Sequence, residues 1–513
     1  MIINSLTLAD VLDEHARGHT DSPAVVDGAT RYTYDELAQR SARLAAAFAG
    51  EGLTAGDRVL WLGQNSFRLL ETLLAAARVG AMVCPVNWRS GADELTFIHD
   101  DLDPRIVIWQ QQDMADVVSE LRKSRGNGSS LWVRHDEEDS RSEYEDLLSS
   151  AGPYTARDVD DAAPALVLYT AAFGGFASGT LLSHRALLAQ SAIIANLMSI
   201  DHSYVYLNCG PMFHIFTWQH TLATFHFAGV NVFTPKLDPH EVARICDREH
   251  VTGAFIPPAA VPGMIEATAA ATFDLSTLRV AAGASAAWAL VTAPDPSPWG
   301  QRPGGFGQAE VGGMATFCAL GPDSPATFGR TNPMCQLRIV DADVADVAPG
   351  EVGEIVVRGP ILSSGYWNRP EANAERMRGG WWHTTDLGRR TPDGSILFVG
   401  SALRLIKSGS ENIYPAEVEA CLEAHPAIKE AAVIGVPDPT WSQNVKAILV
   451  LEPGCSLTLA DVQDHCRERI ASFKKPKLAE FVPEIPRLNG AKDYPTIDAT
   501  FGGGNYPGTP TAT

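Results

Sequence analysis

Apolar residues recur every three or four positions through "YDELAQRSARLAAAFAGEG" and "SFRLLETLLAAARVG", and gather into short runs at "AVVD", "RVLWLG", "RIVIW", "SSLWV" and "ALVLYT". The first pattern predicts helices and the second strands. Their alternation implies crossover units on mainly parallel sheet, so the first part of the chain is α/β, opening with a helix near Thr7. Acidic and polar residues crowd 135–162 and predict an exposed insertion or connection. Beyond about residue 320 the texture becomes short strands and turns ("LRIVD", "PGEVGEIVVRG", "GGWWHTTDLGRRTPDGSILFVG"), a meander or small barrel attached to the α/β part. "YPAEVEACLEAH", "EAAVIGVPD" and "NVKAILVLE" then read as helix, strand, strand. The expected division is a large N-terminal domain over 1–400, a small α/β C-terminal domain over 401–500, and a disordered Gly, Pro and Thr tail over 501–513.

Length supports this division, since 513 residues exceed one ordinary domain. No apolar run is long enough to span a bilayer, and the first residues lack the basic and apolar blocks of a secretory signal. The eight cysteines form no C-x-x-C pair. A reducing cytoplasm fits them best. With 61 acidic against 40 basic residues the net charge is -21, which repels nucleic acid and anionic membranes. An anionic small ligand therefore needs local donors.

One candidate source of donors is "LYTAAFGGFASGTLLSH", residues 168–184, a Gly-rich turn after a strand. Three further blocks carry chemistry: "PMFHI", "FGQAE", and the long run "GEVGEIVVRGPILSSGYWNRPEANAERMRGGWWHTTDLG" followed by "IKSGSENIYPAEVE". With "GAMVCPVNWR", and in this order, they resemble the adenylate-forming superfamily, and within it the acyl-CoA synthetases, over residues 7–492. The resemblance implies a mobile C-terminal domain and an active site between the domains. It also implies a two-step reaction. A carboxylate attacks the α-phosphorus of Mg-ATP to give an acyl adenylate and pyrophosphate, and the thiol of coenzyme A then displaces AMP. Adenylation is needed because a carboxylate oxygen is a poor leaving group.

Residue by residue, the resemblance makes Glu310 the Mg2+ ligand and a catalytic residue, beside Phe306, Gly307 and Gln308 on the nucleotide. Asp386 would accept the ribose hydroxyls, a task for an acceptor-only group. Gly283 would pass close to the adenine. Thr170, Gly174, Gly175, Ser178, Gly179 and Thr180 would face the phosphates, as a Gly-rich turn running into a helix whose N-H groups and dipole favour anions. His214 would line and gate the acyl pocket. Phe213, Phe216, Gly312 and Gly313 would leave that pocket apolar, suited to a fatty or aryl acid. Lys407, Ser408 and Gly409 would swing to the thiol channel, and Lys492 would bridge carboxylate and α-phosphate. A gap placed differently puts Ala491 there instead.

The chain departs from the family pattern on the nucleotide side. Its phosphate loop reads "AAFGGFAS", with alanine or phenylalanine at hydroxyl or small positions and Ser178 for the lysine. Ala309 replaces a threonine. The hinge reads "GSALR", so Ser401 replaces an arginine, with Arg404 the nearest substitute. Three readings stay open: a working coenzyme A ligase, a member that binds acyl groups without adenylating, and a ligase that loads an acyl carrier protein. Expected partners are a small carboxylic acid and a thiol, no nucleic acid and no integral membrane segment, with a homodimer allowed.

Overall fold

The computed structural model describes residues 4–125, 130–136, 142–170, 177–256, 260–281, 288–323, 327–401, 405–409, 411–488, 491–504 and 506. Within them the expected strand and helix runs form where the periodicity places them. Thr7 caps the first helix, Leu8–Gly18, in a reciprocal box with Asp10, and Thr33 caps Tyr34–Gly50 in the same way with Glu36. Helix Phe67–Val79 ends at Gly80 in the left-handed conformation.

Two sheets form the α/β part. One runs in the order Leu131–Arg134, Ile106–Trp109, Arg58–Leu62, Met82–Pro85, Pro164–Thr170, Ser178–Ser183, parallel except for the last pair. The other runs Gly253–Ala254, Val205–Asn208, Val230–Phe233, Pro23–Asp27, Thr30–Thr33, again parallel until its final pair. Helix Phe67–Val79 contributes Phe67, Leu70, Leu73 and Leu74 to a core that reaches both sheets and is buried along its length. A helix buried on nearly every face is a core helix, and its polar Glu71 is paired with Arg40 and Tyr144.

The segment after residue 320 is a meander of Gln336–Val340, Gly353–Arg358, Trp382–Arg390 and Ile396–Ser401, antiparallel throughout. Its two outer strands do not pair with each other, so among the described residues it is an open four-stranded sheet and no barrel. The C-terminal sheet pairs Ile428–Asp438 with Ser442–Leu451 and adds Leu478–Phe481 in parallel, with helices Pro415–Glu423 and Leu459–Arg469 packed on it.

Two expectations need correction. The acidic stretch is no exposed insertion at helix Glu143–Ser149, where Tyr144 is fully buried and donates to Glu71. Glu145 is drawn in by two cations, accepting from Arg40 at 2.9 Å and Arg68 at 2.9 Å. These counter-charges come from elements about a hundred residues earlier in sequence, so local composition does not reveal them. The tail is also held in part. Gly504 N-H donates to Gly435, and the Tyr506 hydroxyl accepts from Gly435 N-H and donates to Asp498.

Candidate active site

The Gly-rich loop does not lead into a helix. Strand Pro164–Thr170 pairs antiparallel with Ser178–Ser183 in the register Thr170 to Ser178, Tyr169 to Gly179 and Leu168 to Thr180. Residues 364–367 close its far edge, with Leu181 N-H donating to Gly365 and Trp367 N-H to Gly179. Only after Ser183, which caps it through Ala186 N-H, does helix His184–Met198 begin. The helix dipole is therefore a whole strand away from the loop. Thr180 is fully buried in this ladder and is no phosphate donor, and Gly179 is wedged against Val167 and Tyr169. Leucines at 181 and 182 extend the strand instead of opening a helix. Gly174, Gly175, Gly283 and Arg404 lie outside the described residues.

The second element is a tight hairpin. Gly307–Gln308 pairs with Gly313–Met314, and the single turn Ala309–Val311 forms its tip. Glycine is required twice. A Cβ on Gly307 would sit 1.9 Å from Gly313 O, and one on Gly312, at φ +73, would sit 1.9 Å from Ile361 O. The turn presents Glu310, 4% exposed, whose Oε1 accepts from Tyr366 at 2.9 Å and Thr170 at 3.2 Å. Burial, then the Glu310 charge, pushes the Tyr366 hydroxyl pKa up, so it stays a donor. Gln308 donates Nε2 to buried Asp386 and, at 3.2 Å, to Thr384 O. Phe306 belongs to the meander core, stacked on Phe398 at 6.0 Å, and its N-H donates to Thr316. The hairpin thus fixes Glu310 between Asp386 on one side and Gly313 on the other.

Glu310 fits a divalent cation. Both hydroxyl donors take Oε1, and among the described residues no group donates to Oε2. No cluster of three or more His, Cys, Asp or Glu occurs among the described residues, so the protein offers one carboxylate and no cage. That suits Mg2+, which keeps waters and binds through few carboxylates plus phosphate oxygens.

The C-terminal domain reaches this site through residues 411–414. Glu411 accepts from His214 Nε2 at 3.0 Å and from Arg89 at 2.8 Å. Burial would raise the Glu411 carboxyl, but His214 and Arg89 outweigh it and hold it below the ordinary carboxylate value. The Tyr414 hydroxyl is pushed up by burial and then by the charges of Glu310 and Asp386. Lys474, 4% exposed, binds Glu94 at 2.9 Å and Glu417 at 2.6 Å and closes the contact between the domains. Burial lowers the Lys407 pKa against the opposing effect of Glu411, and its Nζ donates to Asn412. Ser408 ends the same strand, Ile406–Ser408, and Gly409, at φ +61, follows with its N-H on Trp441 O.

Lys492 is not brought to Glu310. Its Nζ donates to Ala431 O at 2.6 Å and to Glu419 and Glu423 at 3.1 and 3.3 Å. Phe213 lies against His214 at 4.7 Å, and Phe216 faces Phe255 at 6.3 Å. The sequence reading missed the contacts of Tyr366 and Arg89, although both residues lie inside the blocks that carry the resemblance.

Residues 12–367 match the AMP-binding enzyme family, and residues 417–492 match the AMP-binding enzyme C-terminal domain. The chain belongs to the AMP-binding enzyme family. Relatives in it include an indoleacetate--CoA ligase of Aromatoleum aromaticum, 31% identical over 94% of this chain and 95% of that one. A feruloyl-CoA synthase of an Amycolatopsis species is 32% identical over 93% and 95%. Among solved structures, the amide bond synthetase McbA of Marinactinospora thermotolerans superposes with a TM-score of 0.81 at 22% identity, covering 97% of this chain and all of that one, which establishes the shared fold. No helix among the described residues of this family member is long and apolar enough to cross a membrane.

Proposed function

We propose that this chain is an ATP-dependent acid-thiol ligase that joins a fatty or aryl carboxylic acid to coenzyme A through an acyl adenylate. The hairpin carries the reading: one turn holds a buried carboxylate whose second oxygen no described residue meets, a partner for Asp386, and glycines that would wall an acyl pocket. Positioning and charge stabilisation are what phosphoryl transfer asks of a protein. Glu310 would hold Mg2+, which neutralises phosphate charge, while Thr170 and Tyr366 fix the carboxylate's orientation. Asp386, steadied by Gln308, would accept from the ribose hydroxyls.

In the first step an acid oxygen bonds to the α-phosphorus and the bond to pyrophosphate breaks. In the second a thiolate bonds to the acyl carbon and AMP leaves with the electron pair. The contact of Glu411 with His214 and Arg89 supports assigning the described orientation to the second step, with Lys407, Ser408 and Gly409 at the thiol channel. The first step would use Lys492 after the C-terminal domain, bounded near residue 400, turns towards Glu310 and the lysine side chain exchanges Glu419 and Glu423, its partners within that domain, for the substrates. Backbone N-H groups and Mg2+ would carry the phosphate charge that the altered loop no longer meets with a lysine.

The test is incubation with Mg-ATP, coenzyme A and a panel of fatty and aryl acids, reading AMP, pyrophosphate and thioester mass. Equal AMP and thioester from at least one acid is expected. AMP with transfer only to a carrier protein reassigns the acceptor. No AMP from any acid, with no ATP binding by calorimetry, overturns the reading.

A further inference from the structure

In the ligase reading the hairpin that fixes Glu310 also bounds the space for the acid, and the side chains beside it are not uniformly apolar. Gly313, three residues beyond Glu310, has φ +113, and a Cβ there would lie 2.5 Å from Gln219 Oε1. Gln219 is 2% exposed, and neither its Oε1 nor its Nε2 has a partner among the described residues. Neighbouring amides are paired: Gln190 Nε2 donates to Met314 O, and its Oε1 accepts from Asn332 at 3.0 Å. An unpaired buried amide lowers stability, so its presence asks for a ligand.

The surroundings narrow that ligand. Phe216, Gln219 and His220 share one face of helix Ile215–His226. Rings wall this face, with Phe216 against Phe255 at 6.3 Å and His220 against Trp299 at 6.3 Å. His220 Nδ1 lies 2.7 Å from the Phe216 carbonyl, which can only accept, so Nδ1 carries the proton and Nε2 is an acceptor. Burial lowers its pKa and keeps the ring neutral. This helix face therefore combines aromatic walls with uncharged hydrogen-bonding atoms. A hydroxyl can meet them, as donor to Oε1 or as acceptor from Nε2, whereas an unbranched alkyl chain leaves the amide unpaired.

We propose that Gln219 is the specificity-determining residue of the acyl pocket and that the acid carries a ring with a hydroxyl remote from its carboxylate. This rests on the ligase reading above and names its substrate class. The test compares wild type with Gln219→Leu, and with Gln219→Met in case leucine does not fold. Matched acids with and without the hydroxyl are used: 4-hydroxybenzoate and benzoate, 4-hydroxyphenylacetate and phenylacetate, 4-hydroxycinnamate and cinnamate. Both kcat/KM for AMP release and calorimetric affinity without ATP are measured.

Wild type is expected to favour the hydroxylated member of at least one pair by about tenfold or more. The variant loses that preference and melts at a higher temperature, because an unpaired polar group has left the core. A merely structural glutamine would do the reverse: the variant would melt lower and keep the preference, and this overturns the proposal. Equal affinities for all pairs, or no binding of any hydroxylated acid, also overturn it. If no acid yields AMP, the ligase reading fails alone, and the affinities still decide the role of Gln219.

Discussion

The two hairpins at the site differ in what holds them. Pro164–Thr170 with Ser178–Ser183 is anchored on both edges by main-chain bonds, including those to residues 364–367. By the resemblance its tip lacks the lysine and most hydroxyls expected there, and the frame on either side is intact among the described residues. Gly307–Gln308 with Gly313–Met314 is held by close backbone approach at glycines, and its tip keeps Glu310, Gln308 and the contacts to Asp386 and Tyr366. Chemistry at the first tip can change while the frame survives. At the second, the residues that carry the chemistry lie between the glycines that make the frame, so a change in either displaces the other.

The largest expected effect is at the second tip. Glu310→Gln should lower kcat for AMP release by about 100- to 1,000-fold, the scale seen when one preorganised electrostatic group is removed. Undiminished turnover would remove Glu310 from the site. Asp386→Asn should raise KM for ATP by about 10- to 100-fold, as loss of charged hydrogen bonds does, and leave the acid's KM nearly unchanged. At the first tip the sign reverses. Ser178→Lys should raise kcat/KM for ATP by about tenfold by returning a cation to the loop. No gain would mean that Mg2+ and backbone donors already suffice.

The smallest effect concerns the orientation of the domains. Glu411→Gln should slow thioester formation from preformed adenylate a few-fold and leave pyrophosphate release unchanged, since His214 and Arg89 are partly exposed and the pairs are screened. The Glu411 carboxyl is held low despite burial, so its charge is present above its depressed value and lost as pH falls through it. Wild-type thioester formation should therefore fail only below the ordinary carboxylate range. Failure already at neutral pH would assign the docking to another group.

Sequence alone carried the periodic elements well. "RVLWLG", "ALVLYT" and the helices capped at Thr7 and Thr33 form because their signals are local. Glu310, Asp386 and His214 were singled out because they stand in the ordered set of blocks that carries the resemblance. What escaped was set by partners distant in the chain. Ser178–Ser183 became a strand because residues 364–367 pair with its second edge. Tyr144 is buried because Arg40 and Arg68 neutralise its acidic neighbour. Gln219 had one faint signal: polar Thr217, Gln219, His220, Thr221 and Thr224 crowd a helix that is buried almost all round. Polar groups buried that densely require partners, and Gln219 is the residue of this helix whose two side-chain polar atoms both lack one among the described residues.

The most direct measurement follows AMP, pyrophosphate and thioester together in one reaction of the whole chain with Mg-ATP, coenzyme A and ring-bearing acids. Equal amounts of all three from a hydroxylated aryl acid are expected, which would show that the second hairpin sustains adenylation with Ser178 where the resemblance expects a lysine in the first. Thioester exchange or acid binding without any AMP would mean that the nucleotide chemistry went with that loop.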